Sequence, residues 1–153
     1  MKRTRQQIAA LPLRWKGGEV EVLMITSRDT GRWVVPKGWP MRKTEPWAAA
    51  AIEALEEAGA KGRMAREVFG TYAYGKRLKG GDVVPCLVRV YPMIVEKLKR
   101  DWKERSERTR RWFPVAEAAG LVDEPELAEL LMSLESKPTK TPVAGPLLRR
   151  AAS

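Results

Sequence analysis

A chain of 153 residues, 44% hydrophobic and 31% charged, has the size and balance of one folded domain with a single core. It has no histidine and one cysteine, Cys86, which excludes Ser-His-Asp and Cys-His nucleophiles, His-ligated or Cys-cluster zinc and any internal disulfide. Lys and Arg number 29 against 19 Asp and Glu, a formal charge of +10 that attracts phosphorylated small molecules, nucleic acid or acidic lipid surfaces.

No apolar run approaches the roughly 20 residues a membrane helix needs. The apolar stretch Ile8 to Leu13 behind the basic N-terminus is short and broken by Pro12. That is a poor match to a secretory leader, so the expectation is a cytoplasmic protein without a membrane partner.

Gln6 to Trp15 alternates loosely and reads as an edge strand, Pro12 marking an edge or bulge. Lys16-Gly17-Gly18 turns into Glu19 to Thr26, where Val20, Val22 and Met24 share a face. A polar loop, Ser27 to Arg32, leads to a short strand at Trp33-Val34-Val35, stopped by Pro36. Gly38 to Lys43 is a loop carrying Trp39-Pro40. Thr44 has the side chain of an N-cap and Pro46 is tolerated in a first turn, so Glu45 to Ala58 is predicted as helix, ended by Gly59. Val68 to Lys76 and Val83 to Val95 are strands around a hairpin loop at Gly80-Gly81-Asp82, with Cys86 as a small buried apolar residue. Tyr72 and Tyr74 share a face, either core or cleft. Lys97 to Arg111 is a charged loop, Trp112-Phe113 a short strand, and Ala116 to Ala119 and Glu126 to Leu134 are helices. Residues 136–153 hold three prolines and four basic residues and are expected to be poorly ordered, leaving 1–135 as the domain. The order of strands, helix, strands, helix predicts an α/β (α+β) fold, a mixed sheet flanked by helices.

On a helix advancing about 100° per residue, Trp47, Ala51, Ala54, Leu55 and Ala58 gather on one side, and Glu53, Glu56 and Glu57 on the other. The acids crowd the C-terminal half, where the helix dipole is already negative. Glu53 and Glu57 are like charges at i,i+4, a pairing that costs about 0.2–0.5 kcal/mol. No Lys or Arg on the helix offsets them. A hard cation resolves the conflict, since Mg²⁺ takes oxygen ligands from carboxylates and phosphates.

The run from Gly38 to Ala60, GWPMRKTEPWAAAAIEALEEAGA, resembles the Nudix box. Gly38, Glu53, Glu56, Glu57 and Gly59 stand at the family spacing. Thr44 replaces a glutamate of the pattern and Ile52 replaces the arginine that helps orient the neighbouring glutamate. Arg110-Arg111-Trp112-Phe113 with Val115 to Ala119, and Asp101-Trp102, is most similar to the diphosphoinositol polyphosphate phosphohydrolase and dinucleoside polyphosphate hydrolase branch.

The resemblance implies a Nudix-type α/β/α sandwich with the glutamate helix on one side of a mixed sheet. It also implies metal-dependent attack of water on a phosphoanhydride bond, with Mg²⁺ or Mn²⁺. Glu56 and Glu57 then become metal ligands, Glu53 a ligand or the base, and the backbone carbonyl of Lys37 or Gly38 a further ligand. A later loop often adds an acid in this family; Glu104 and Glu107 are the candidates, each otherwise a solvated charge. Phosphate contacts are expected from Lys37 above all, with Arg42, Lys43, Arg28, Arg32, Lys76 and Arg77 as further candidates. Trp33 and Trp47 read as core; Trp39 reads as a stacking platform or a lid. The expected partner is a phosphorylated small molecule, nucleoside diphosphate-linked or highly phosphorylated. A homodimer is left open. Ile52 motivates a second reading, a nucleotide-binding sensor without turnover. The net charge motivates a third, a nucleic-acid-binding protein, but no RNA-recognition signature is present and the acidic helix repels phosphate without metal.

Overall fold

The computed structural model describes residues 3–152. Strand β1 (Arg5–Lys16) is the centre of an eight-stranded mixed sheet rather than its edge. It runs parallel to β7 (Val83–Leu98) and antiparallel to β2 (Glu19–Thr26) and to the two-residue β4 (Lys37–Gly38). Ile8 to Leu13 are all buried, which suits a strand covered on both faces. Pro12 is tolerated there for a local reason. Ala10 donates its N–H to the Pro36 carbonyl, and residues two apart in a strand aim their nitrogens the same way. On that side β4 pairs only as far as Ala9 and β2 begins at Leu13, so no ladder bond is lost at residue 12.

The sheet continues through β3 (Trp33–Val34) beyond β2, with β8 (Arg110–Pro114) also pairing with β2. Beyond β1, β7 pairs with both β5 (Ala60–Met64) and β6 (Gly70–Arg77). The sequence marks β5 only weakly, because Ala-Lys-Gly-Arg-Met alternates but has a central glycine and no β-branched or aromatic residue. Its pairing with β7 creates the strand.

Helix α1 (Pro46–Ala58) covers one face. Its Ala49, Ala50, Ala54 and Ala58 pack on Ile8, Ala10, Leu23 and Met93. On the other face Leu11, Leu13, Val22 and Val88 meet α2 (Val115–Leu121), α3 (Pro125–Met132) and α4 (Ala144–Ala152). The expected α/β/α sandwich is therefore present, with Val20, Val22 and Met24 sharing a face as read. Trp33 and Trp47 are half-buried at the margins of the two cores, Trp33 edge-on to Phe113 at 4.9 Å.

Two further expectations need correction. Thr44 does not cap α1: its hydroxyl donates to the Arg42 carbonyl, and Glu45 is the N-cap residue. Pro46 disfavours helical backbone at the preceding residue, which leaves Glu45 extended, at φ −60° and ψ 145°. The segment 136–152 is not loose either. It forms a short 3₁₀ turn (Pro138–Lys140) and α4. Ala144, Leu147 and Leu148 are buried, and Trp15 Nε1 donates to the Leu148 carbonyl at 3.0 Å. Spacings of three and four residues place these side chains on one helix face, so the folded unit extends through Ala152. Met1, Lys2 and Ser153 lie outside the described residues. No described helix is long and apolar enough to cross a membrane.

Candidate active site

The C-terminal end of α1 organises the site. Gly59, at φ 65°, reverses the chain and donates its N–H to the Leu55 carbonyl. A helix end leaves carbonyls without intrahelical partners, and here the segment 99–110 satisfies them in succession. Glu104 N–H donates to the Glu56 carbonyl (3.0 Å), Trp102 Nε1 to Glu57 (3.1 Å), Arg110 Nη1 to Ala58 (2.9 Å) and Lys99 N–H to Gly59 (2.8 Å). A Cβ on residue 59 would lie 2.7 Å from Arg110 Nη1 and 3.0 Å from the Trp102 ring, so only glycine admits this docking. The charged loop is thus fixed against the glutamate end of α1.

That docking builds one wall of a cleft. Glu53, Glu57 and Glu104 line it together with Lys37, Lys76, Arg28 and Arg108. Gln7, Gly38 and Trp39 complete the floor and mouth. The rotation of α1 differs from the simple wheel. Glu57 shares the buried stripe with Ala50 and Ala54 and is 8% exposed, while Ala51 and Leu55 sit at its flank. Its Oε1 accepts the Lys37 N–H at 3.2 Å, and its Oε2 lies 3.6 Å from Arg108 Nη2. Arg108 Nε donates to Glu104 Oε1 at 2.7 Å.

Gly38 lets Glu53 approach the β4 backbone. A Cβ at residue 38 would lie 2.0 Å from Glu53 Oε2. Burial, followed by the negative charges of Glu57, Glu56 and Glu104, raises the Glu53 carboxyl to a pKa of about 7. Burial also raises Glu57, against the opposing pull of Arg108 and the Lys37 N–H. It lowers the Lys37 ammonium, and Glu57 opposes that shift. Tyr72 is core, and Tyr74 packs against that core and donates its hydroxyl to the cleft-lining Gln7 Oε1 at 2.5 Å. Lys37 Nζ lies 5.0 Å from the centre of the Tyr74 ring. Trp39 is 39% exposed at the mouth, with Lys76 Nζ 5.9 Å from its ring centre.

Other expected residues stand elsewhere. Glu56 turns away from the cleft, its Oε1 3.6 Å from Lys103 Nζ. Glu107 is exposed and pairs with Arg28. Arg42 and Lys43 are exposed before α1 and do not line the cleft. Arg32 belongs to an ion pair with Glu124, at 2.8 Å. Arg77 lies on the exposed β6–β7 hairpin, at β6's last residue. Arg108 and Gln7 were not singled out from sequence. Arg108 lies in a run of charges without a motif, and Gln7 was one polar residue in a strand.

The chain resembles known proteins over most of its length. It is 31% identical over 135 residues to human diphosphoinositol polyphosphate phosphohydrolase 3-beta, covering 86% of this chain and 78% of that protein. It is 29% identical to the chloroplastic Nudix hydrolase 21 of Arabidopsis thaliana, covering 90% of this chain and 69% of the relative. The chain belongs to the Nudix hydrolase family. Its fold matches the crystal structure of Caenorhabditis elegans Ap4A hydrolase with a TM-score of 0.62 at 17% identity, over 86% of this chain and 96% of that one. No protein-family model matches the chain. Nudix hydrolases cut phosphoanhydride bonds, and the departures at Thr44 and Ile52 leave the remaining box glutamates and glycines of this member in place.

Proposed function

We propose that the cleft hydrolyses a phosphoanhydride bond in a highly phosphorylated small molecule, of the diphosphoinositol polyphosphate or dinucleoside polyphosphate type, with Mg²⁺ or Mn²⁺. The observation that carries this reading is that Glu53, Glu57 and Glu104 line one cleft together with Lys37, Lys76 and Arg28. The positive charge of the whole chain favours a polyanion there. The names of the human relative and of the C. elegans neighbour support the two substrate types.

Among the described residues no three acids already converge as a finished metal centre. The donor chemistry nevertheless fits a hard cation. Three carboxylates line one cleft, and Glu53 lies so close to Gly38 that any Cβ there would displace its carboxylate. Glu53, Glu57 and Glu104 are the side chains that would hold the ion, with the Gly38 carbonyl as a further oxygen. When bound, it supplies a Lewis acid for phosphate oxygens. Glu56 would join only by leaving Lys103.

The protein's own groups do the rest. Without a cation the Glu53 carboxyl is held at a pKa of about 7; a bound cation favours its ionised form, which can take a proton from the attacking water. Lys37, Lys76 and Arg28 bind phosphate oxygens in the cleft. The exposed Trp39 ring borders the leaving group.

The test is a phosphate-release screen with Mg²⁺ and Mn²⁺ over diphosphoinositol polyphosphates, dinucleoside polyphosphates, nucleotide sugars and nucleoside triphosphates. Metal-dependent turnover of a polyphosphorylated compound is expected. Metal binding without turnover of any compound would replace the hydrolase with a nucleotide sensor.

A further inference from the structure

We infer that Arg108 is a positioning residue, supplying an orienting cation from the 99–109 loop and aiming Glu57 and Glu104 into the cleft. The inference rests on the proposed reading of those carboxylates as metal ligands. Helix α1 contains no Lys or Arg, and Ile52 is 37% exposed with no group able to donate. Its crowded glutamates therefore need an orienting partner from another element.

Arg108 has the geometry for that. Its side chain is 8% exposed, so its guanidinium is held rather than solvated. Its three nitrogens face acceptors on β2, on its own loop and on α1. Nη1 donates to the Thr26 carbonyl at the end of β2 (3.0 Å), Nε to Glu104 (2.7 Å), and Nη2 faces Glu57 Oε2 (3.6 Å). Thr26 and Thr109 clamp the base of the arginine. Thr26 N–H donates to the Thr109 carbonyl at 3.0 Å, and Thr109 N–H donates to Thr26 Oγ1 at 2.9 Å. A planar fork anchored at one prong fixes the direction of the other two. Glu57 is fixed from the opposite side by the Lys37 N–H.

The neighbouring cations do not substitute. Arg28 is largely exposed and reaches Glu104 only at 3.8 Å. Arg110 is committed to the Ala58 carbonyl and stacks over Trp102 at 3.9 Å. Among the described residues, Arg108 is the side-chain cation paired with Glu57.

The experiment is a double-mutant cycle of Arg108→Met and Glu104→Gln, read by Mn²⁺ affinity from the electron paramagnetic resonance of free Mn²⁺ and by kcat and KM on the best substrate of the screen. Removing a group that orients a metal ligand typically costs about 10- to 100-fold in metal affinity or activity. Arg108→Met is expected to weaken Mn²⁺ binding and lower kcat in that range, with KM within about threefold of wild type. The double variant should be no more than about threefold worse than the poorer single variant, because both changes act through one cluster. Arg108→Lys keeps the charge and guards against misfolding; lacking the fork, it should also weaken Mn²⁺ binding. Unchanged Mn²⁺ affinity in both Arg108 variants overturns the inference. So does additivity with Glu104→Gln, or a rise in KM alone, which marks direct substrate contact. If wild type binds Mn²⁺ but turns over nothing, the hydrolase reading falls while the cycle on Mn²⁺ affinity still decides Arg108. If wild type binds no Mn²⁺, both fall.

Discussion

Burial and the charges of Glu57, Glu56 and Glu104 hold the Glu53 carboxyl near a pKa of about 7, and this couples the site to stability. The folded protein keeps a proton on Glu53 over a pH range in which the unfolded chain has released it. The stabilisation is present below the ordinary carboxylate pKa and is lost as pH rises through about 7. In chelator, the melting midpoint should therefore fall as pH rises from about 5 to about 8, more steeply in wild type than in Glu53→Gln. Saturating Mg²⁺ should flatten the wild-type slope, because a bound cation favours the ionised carboxylate. Equal slopes in wild type and Glu53→Gln would show that Glu53 is not the crowded group. Glu53, Glu57, Gly38 and Gly59 were legible in the sequence because a helix and the loop before it fix their relation by spacing alone. Arg108 and Glu104 were not, since their place depends on hydrogen bonds to residues distant in the chain.

The elements that matter most to the site are α1 and the loop docked on its end. The loop delivers Glu104 and Arg108 only while residues 56 to 59 keep their carbonyl partners. Gly59→Ala places a side chain at φ 65°, costing about 1–2 kcal/mol, and pushes on Arg110 and Trp102. The variant should fold, lose activity out of proportion to its stability, and be cut by trypsin within 99–109 faster than wild type. Unchanged digestion and activity would mean that the loop holds its place without the cap. Strand identities were largely readable from alternation, and α1 from its alanines and Gly59. The centrality of β1 was hidden because the stretch alternates only loosely and Pro12 reads as the mark of an edge. β5 was only weakly marked, because its central glycine and lack of β-branched residues leave the strand to pairing with β7.

At the scale of the whole molecule, α4 closes the core opposite α1, and its basic, proline-containing segment disguised an apolar face. Leu148 is fully buried there. Leu148→Ala should cost about 2–5 kcal/mol, a melting midpoint lower by roughly 5–15 °C. No shift would restore the reading of residues 136–152 as loosely attached. The overall charge of +10 sits on a chain that gathers Glu53, Glu57 and Glu104 in one cleft, a distribution suited to holding a polyanion around a cation. The most direct measurement of that account is the rate of phosphoanhydride cleavage on the best substrate of the screen across a Mg²⁺ titration, for wild type and for Glu53→Gln/Glu57→Gln. The account predicts saturable metal dependence in wild type and a loss of at least about 100-fold in the double variant. Turnover that survives either the chelator or the double substitution would contradict it.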